Sequence, residues 1–384
     1  MRLAIEQDSP TMWLIAIDEA GYGPKLGPLV VAATAWHLDD ASPGAKSQIN
    51  HDVSSDQITP DPFLNVASPI RVGNATIRVD DSKNIFRGGS LSTLHAIFSV
   101  ANHARGRSDA TLADCLPTLL PLDHESILDI AWLKTTSGPA SKPIELVPIA
   151  QARAAVDQWN RCEWKLRDVA ARMIDAGAFN QFCSGNGSNI LPRGNKSDLL
   201  GETSLRLAVD LLDRATASTV TPAKATKRRT GAKPSQRKTT PPEPVQIFFD
   251  RHGGRRYYAG MIQEIFGGGP VRILSESKTQ SVYETVRDNR NVRLHFTVKG
   301  DRFVPVALSS LHAKYLRELA MASFNAYFRE AMQVASASPS TKKTEATEFR
   351  PTAGYPVDAD RFIDMIRPVM KANGITDAEL IRCR

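Results

Sequence analysis

Two adjacent acids close an apolar run near the start of the sequence. Leu14-Ile15-Ala16-Ile17 leads into Asp18-Glu19 and then into the turn-rich Ala20-Gly21-Tyr22-Gly23-Pro24-Lys25-Leu26-Gly27-Pro28. A carboxylate at the end of a buried strand is costly unless something cationic meets it there. The arrangement recurs at Val245-Gln246-Ile247-Phe248-Phe249-Asp250. Two strands that each deliver acids at a C-terminal end bring them to the place where ligands gather in open α/β sheets. Converging carboxylates ionise together only with cations among them, which predicts an oxygen-rich Mg²⁺ or Mn²⁺ site. Such a site is used for two-metal phosphoryl chemistry, with ions about 3.5 to 4 Å apart activating water and steadying the leaving oxygen. A further acid, Glu318, shares a helix face with Lys314 four residues earlier, downstream of the turn Lys299-Gly300-Asp301.

The elements that must position these residues alternate along the chain. Clusters of β-branched and other apolar residues predict strands at 13–18, 28–37, 70–80, 245–250, 271–275 and 293–299. Helical spacing predicts helices at 90–105, 148–176, 200–216, 257–266, 279–288, 306–331 and 358–373. This order describes a sheet covered by helices. Trp159 and Trp164, five apart in what reads as a charged helix, are expected to pack against the body of the protein. His252, beside Asp250, reads as a surface-loop histidine, with a proton shuttle as the alternative.

With 42% hydrophobic and 23% charged residues over 384 positions, there is ample material for a sizeable core. No stretch approaches the roughly 20 apolar residues of a membrane span, so a cytoplasmic protein is expected. Cys115, Cys162, Cys183 and Cys383 lack CxxC spacing and read as ordinary reduced thiols. The net charge of +7 resides entirely in residues 215–242, which hold seven basic residues and no acid, leaving 41 bases against 41 acids elsewhere. This Pro/Thr/Lys-rich tether can neutralise nucleic-acid phosphates or act as a solvated linker. Residues 40–68 and 332–350 read as surface insertions. The spacing of Gly21, Gly23 and Gly27, with Pro24 among them, does not fit a dinucleotide fingerprint, and no phosphate-loop or HExxH motif is present.

At its acidic motifs the chain resembles the ribonuclease HII family, the type 2 ribonucleases H. The family's Asp-Glu-Ala-Gly-Arg-Gly-Pro strand and following Gly-Pro-Val/Leu-Val strand are matched by Asp18 to Pro24 and Gly27 to Val31. Its Asp-Ser-Lys is matched by Asp81-Ser82-Lys83, its third strand-end carboxylate by Asp250, and its Lys-Gly-Asp by Lys299-Gly300-Asp301. Its last helix is matched from Ala307 to Glu318, with the Ala-Lys and Arg-acid positions in register at Ala313-Lys314 and Arg317-Glu318. Three positions depart from the pattern: Tyr22 stands for Arg or Lys, Arg251 for Gly, and Glu318 for Asp.

The resemblance implies a ribonuclease H-like α/β fold, a mixed central sheet flanked by helices. It implies a catalytic domain over 1–331, interrupted at 40–68 and at the tether 215–242, followed by a linker at 332–350 and a helical segment at 351–384. The implied activity is metal-dependent endonucleolytic cleavage of RNA in RNA/DNA hybrids, or at ribonucleotides embedded in DNA, leaving a 5′-phosphate. Asp18, Glu19, Asp250 and Glu318 would hold two Mg²⁺ or Mn²⁺ ions. The backbone of Gly21-Tyr22-Gly23 would sense the 2′-hydroxyl of the junction nucleotide, and Lys83, Lys299 and Lys314 would contact phosphates. The protein is expected to work as a monomer. A non-catalytic relative that binds nucleic acid through the fold and the tether is the alternative, and the retained acids favour the nuclease.

Overall fold

Continuous apolar runs make the central strands, because a strand covered on both faces has no polar side to show. The computed structural model describes residues 11–39, 61–86, 91–139, 141–184, 194–219, 242–337 and 348–383. Its nine strands are β1 (Met12–Ala20), β2 (Leu29–Leu38), β3 (Ile70–Val72), β4 (Ala75–Ile77), β5 (Trp164–Ile174), β6 (Val245–Asp250), β7 (Arg272–Glu276), β8 (Gln280–Arg287) and β9 (Arg290–Thr297). The first helices are α1 (Leu64–Ala67), α2 (Ser82–Ile85), α3 (Leu91–Ala104), α4 (Leu112–Leu119), α5 (His124–Asp129) and α6 (Ile149–Trp159). They are followed by α7 (Ala176–Ser184), α8 (Lys196–Thr219), α9 (Ala259–Ile265), α10 (Val304–Ala337), α11 (Pro356–Ala372) and α12 (Asp377–Leu380).

Seven strands form one mixed sheet in the order β5-β2-β1-β6-β9-β8-β7, and β3 and β4 form a separate hairpin. β1 pairs antiparallel with β2 but parallel with β6, and β6 pairs parallel with β9. Three neighbouring strands, β1, β6 and β9, therefore end on the same side of the sheet. Alternate residues of β1 divide between two cores. Leu14 and Ala16 pack with α3, α6 and α10 on one face, while Trp13, Ile15 and Ile17 pack with α8 on the other. A third cluster joins Leu26 and the second half of α10 to α11. The fold is the mixed α/β sheet flanked by helices that the resemblance implies. No helix among the described residues is long and apolar enough to cross a membrane.

Two expected helices are strands. The 148–176 stretch breaks after α6 and continues as β5, which pairs along its length with β2. Its Lys165, Arg167 and Ala170-Ala171 have helical propensity, and strand pairing overrides it at this sheet edge. Residues 279–288 form β8, joined to β9 by the two-residue turn Asp288-Asn289, with φ of +50° and +59°. Such a left-handed pair is the usual hairpin connection, and the Asp-Asn dipeptide is the signal that would have exposed it. Trp159 and Trp164 are both buried in the core, but one ends α6 and the other begins β5. In the stretch read as the first insertion, Phe63 and Val66 are core residues. α10 runs through Ala337, into the stretch read as a linker. Residues 40–60, 220–241 and 338–347 of the expected insertion, tether and linker lie outside the described residues.

One buried group ties stability to pH. His312 on α10 is buried, its Nδ1 bonded to the Leu308 carbonyl (2.8 Å) and its ring beside Phe98. Burial pushes the imidazole down to about 4. The unfolded chain therefore binds a proton between about pH 6.5 and 4 that the folded protein refuses, so the contribution of His312 is complete above that window and is lost as pH falls through it. Relative to a His312→Asn variant, the parent should lose roughly 3 kcal/mol between pH 7 and pH 4 in urea titrations. A constant difference between the two proteins across that range would contradict the assignment.

Candidate active site

The acids sit where the parallel strands end. Asp18 and Glu19 lie at the end of β1, Asp250 closes β6, and Lys299-Gly300-Asp301 follows β9. The register sets Ile17 beside Phe249 and Asp250 beside Thr297, so adjacency in the sheet brings the three strand ends together. Gly300 completes the contact between the second and third. Its N–H donates to Asp250 Oδ1 (2.8 Å), and a Cβ there would stand 3.0 Å from Asp250 Cα and from the Phe249 carbonyl oxygen.

Burial and mutual repulsion dominate the electrostatics. The Asp18 carboxyl is held well above the usual carboxylate range by burial, then by Glu19 and Asp250. Hydrogen bonds from Ser310 and from the Glu19 N–H (2.8 Å to Asp18 Oδ1) offset this only in part. Burial and Asp250 push Glu19 up to about 7. Burial and Asp301 raise Asp250, whereas the Gly300 and Arg251 N–H groups and Lys83 lower it. Asp301 is raised by burial and by Asp81, and Lys83 lowers it too. None of Asp18, Glu19, Asp250 and Asp301 is in an ion pair with a described Lys or Arg. Lys83 acts on both Asp250 and Asp301, and Arg302 on Asp301.

α10 crosses the sheet beside this cluster through its small residues. Ser309 donates to the Ala16 carbonyl (2.8 Å), and Ser310 lies against Asp18 and the Ser82 hydroxyl. Glu318 is not brought to the other three expected acids. It lies eight residues beyond Ser310, about 12 Å along the helix axis, and its carboxylate meets Lys314 Nζ (2.6 Å) and Arg317 (3.6 Å). Lys314, whose ammonium also covers the Phe86 ring at 4.4 Å, is thereby engaged, while Lys299 is exposed with a left-handed backbone (φ +60°). The acid that does face Asp250 is Asp301. Asp301 closes the Lys-Gly-Asp turn, and the signal for its place is that this turn follows a strand parallel to β6.

The loop after β1 is held from several sides. Gly21 has φ of +88°, and a Cβ there would run into the Arg317 side chain and stand 2.7 Å from the Pro28 carbonyl oxygen. Gly21→Ala should cost roughly 1–3 kcal/mol, seen as a lowered melting temperature; an unchanged one would mean the loop gives way freely. Lys25 and Leu26 donate N–H bonds to the Gly354 carbonyl (2.8 and 3.2 Å). The tail closes over the loop: Leu26 bridges Ile381, the Arg382 N–H donates to the Lys25 carbonyl (2.9 Å), and the Arg382 guanidinium donates to the Pro24 carbonyl. Tyr355, half exposed, follows Gly354 beside the same loop.

The two residues that follow Asp250 are both buried. The Arg251 guanidinium turns away from the acids and donates to the Lys278 carbonyl (2.6 Å), the Ser277 carbonyl (3.0 Å) and Ser281 Oγ (3.0 Å), so it neither crowds the site nor lends it charge. His252 is buried rather than exposed, edge-on to Phe249, Tyr258 and Phe296. Burial pushes it down to about 3, which keeps it neutral and unfit to shuttle protons near pH 7.

Type 2 ribonucleases H are what this chain is similar to in fold. The ribonuclease H2 from Pyrococcus horikoshii OT3 is 14% identical, with 96% of this chain and 92% of that one covered and a TM-score of 0.32. A chain of the PCNA:RNase HII complex from Archaeoglobus fulgidus is 11% identical, with 97% and 95% covered and a TM-score of 0.32. Bst-RNase HIII in complex with Mn²⁺ is 14% identical, with 99% and 68% covered and a TM-score of 0.33. No family model and no curated protein matches the chain.

The donor set bears on metal binding directly. Carboxylate oxygens are the donors that Mg²⁺ and Mn²⁺ prefer. Among the described residues, no three acids, histidines or cysteines are grouped closely enough, as their side chains lie, to hold an ion.

Proposed function

We propose that the protein is a metal-dependent endoribonuclease that cuts the RNA strand of RNA/DNA hybrids, or DNA at an embedded ribonucleotide, and leaves a 5′-phosphate. The observation that carries this reading is the group of mutually repelling carboxylates, buried Asp18 with half-buried Glu19 and Asp250, at adjacent parallel strand ends. A fold places such charges together at a cost that a bound divalent ion removes. Asp18, Glu19, Asp250 and Asp301 would hold that ion, which when bound supplies charge neutralisation for a phosphate and lowers the pKa of water.

The chain's own groups supply recognition. Lys83 faces the acids and would meet the phosphate they address. The backbone of Gly21-Tyr22-Gly23, fixed by Arg317 and by the tail, would approach the junction sugar closely enough to read its 2′-hydroxyl. Free thiols at all four cysteines suit a reducing, cytoplasmic setting.

The test is a nicking assay on purified full-length protein. With Mg²⁺ or Mn²⁺ it should cut a duplex carrying one ribonucleotide, or a hybrid, and the downstream fragment should accept label from polynucleotide kinase only after phosphatase treatment. No cleavage of either substrate with either metal would overturn the enzyme reading, and duplex binding without cleavage would support the non-catalytic one.

A further inference from the structure

Beside the recognition loop the cations are nearly all committed. Lys25 pairs with Asp360 (2.6 Å), Arg255 with Asp198, and Arg317 with Glu318 (3.6 Å), while Arg382 is spent on the Pro24 carbonyl. Lys196 differs. Its ammonium stands 5.1 Å from the centre of the Tyr22 ring, and no described acid pairs with it. Tyr22 is itself held, directly after the crowded Gly21 and packed half-buried against the core on the α8 face of the sheet. Tyr22, Lys196, Ser197, Phe179 and Cys183 line one open cleft at this point.

We propose that Lys196, seated on the Tyr22 ring, is a phosphate-binding residue for the nucleic-acid duplex at the recognition loop. The inference rests on the nuclease reading. Tyrosine between the two glycines brings no charge of its own to the loop, but its π face holds an ammonium in place. One face of that ammonium is taken by the ring, and its remaining N–H donors are free for a phosphodiester oxygen. Tyr22 is thus a positioning residue, and the charge at the loop comes from a helix some 170 residues away in the chain.

The experiment measures binding of a duplex with one ribonucleotide to the full chain carrying Asp18→Asn, so that the substrate stays whole, between about 50 and 200 mM salt. Lys196→Met should weaken binding about five- to tenfold and flatten the log–log salt slope by about one unit, as expected for one lost phosphate contact. Lys196→Arg and Tyr22→Phe should retain affinity. Tyr22→Ala should reproduce the Lys196→Met loss, and the double variant should be no weaker than either, with melting temperatures unchanged throughout. An unchanged affinity and slope for Lys196→Met would overturn the proposal while leaving the nuclease reading intact, as would losses that multiply in the double variant. If the parent binds no duplex at all, both fall together.

Discussion

Replacing Asp18 by Asn should abolish cleavage, lowering kcat by about 1,000-fold or more, while the protein remains folded. Asp18 has the greatest burden in the cluster: it is buried, it faces both Glu19 and Asp250, and two hydrogen bonds hold it in place. The amide keeps the shape and loses the charge that a divalent ion needs, and a loss of that size corresponds to about 4 kcal/mol of transition-state stabilisation. Because the change also removes a repulsion, the variant should melt no lower than the parent without metal, and it should fail to gain stability when Mg²⁺ or Mn²⁺ is added. Single-turnover cleavage and thermal scans with and without metal check both halves. Residual cleavage within tenfold of the parent would remove Asp18 from the chemistry.

The second large effect separates two acids that the sequence alone ranks the other way. Asp301→Asn should reduce kcat by about 100-fold, whereas Glu318→Gln should leave it within about threefold. Asp301 acts on Asp250 across adjacent strand ends, and Gly300 locks that turn onto the Asp250 backbone. Glu318 is neutralised by Lys314 and Arg317 a little over two helical turns beyond the serine that touches Asp18. As a partly exposed pair, Glu318 and Lys314 should contribute no more than about 1 kcal/mol to stability. Steady-state kinetics on the two variants decide the matter, and the reverse order of effects would restore Glu318 to the site.

What could be read in the sequence was whatever depends on one strand at a time. β1 with Asp18 and Glu19, and β6 with Asp250, show their apolar runs and their terminal acids without any knowledge of the fold. Choosing between Asp301 and Glu318 needs the sheet order, since only the parallel placement of β9 beside β6 carries the turn after it to Asp250. Register on a helix put Glu318 at an acidic position of the motif but does not say how far along the axis the strand ends reach. β5 was hidden by residues that favour a helix in isolation, and the burial of His252 by a polar neighbourhood, Arg251 and Gly253-Gly254, whose aromatic surroundings come from β9 and α9. Long-range pairing, not local preference, decides these cases.

The clasp over the recognition loop has a consequence for how the molecule comes into being. Pro24 and Arg382, which meet there, are 358 residues apart. On the ribosome this loop emerges before the rest of the sheet, α10 and α11, and Arg382 emerges after them. Closing so long a span adds little to the entropic cost, which grows only with the logarithm of length, but contacts of this separation form late. A nascent or partly folded chain would thus bring its strand-end acids together before the loop after β1 was clasped.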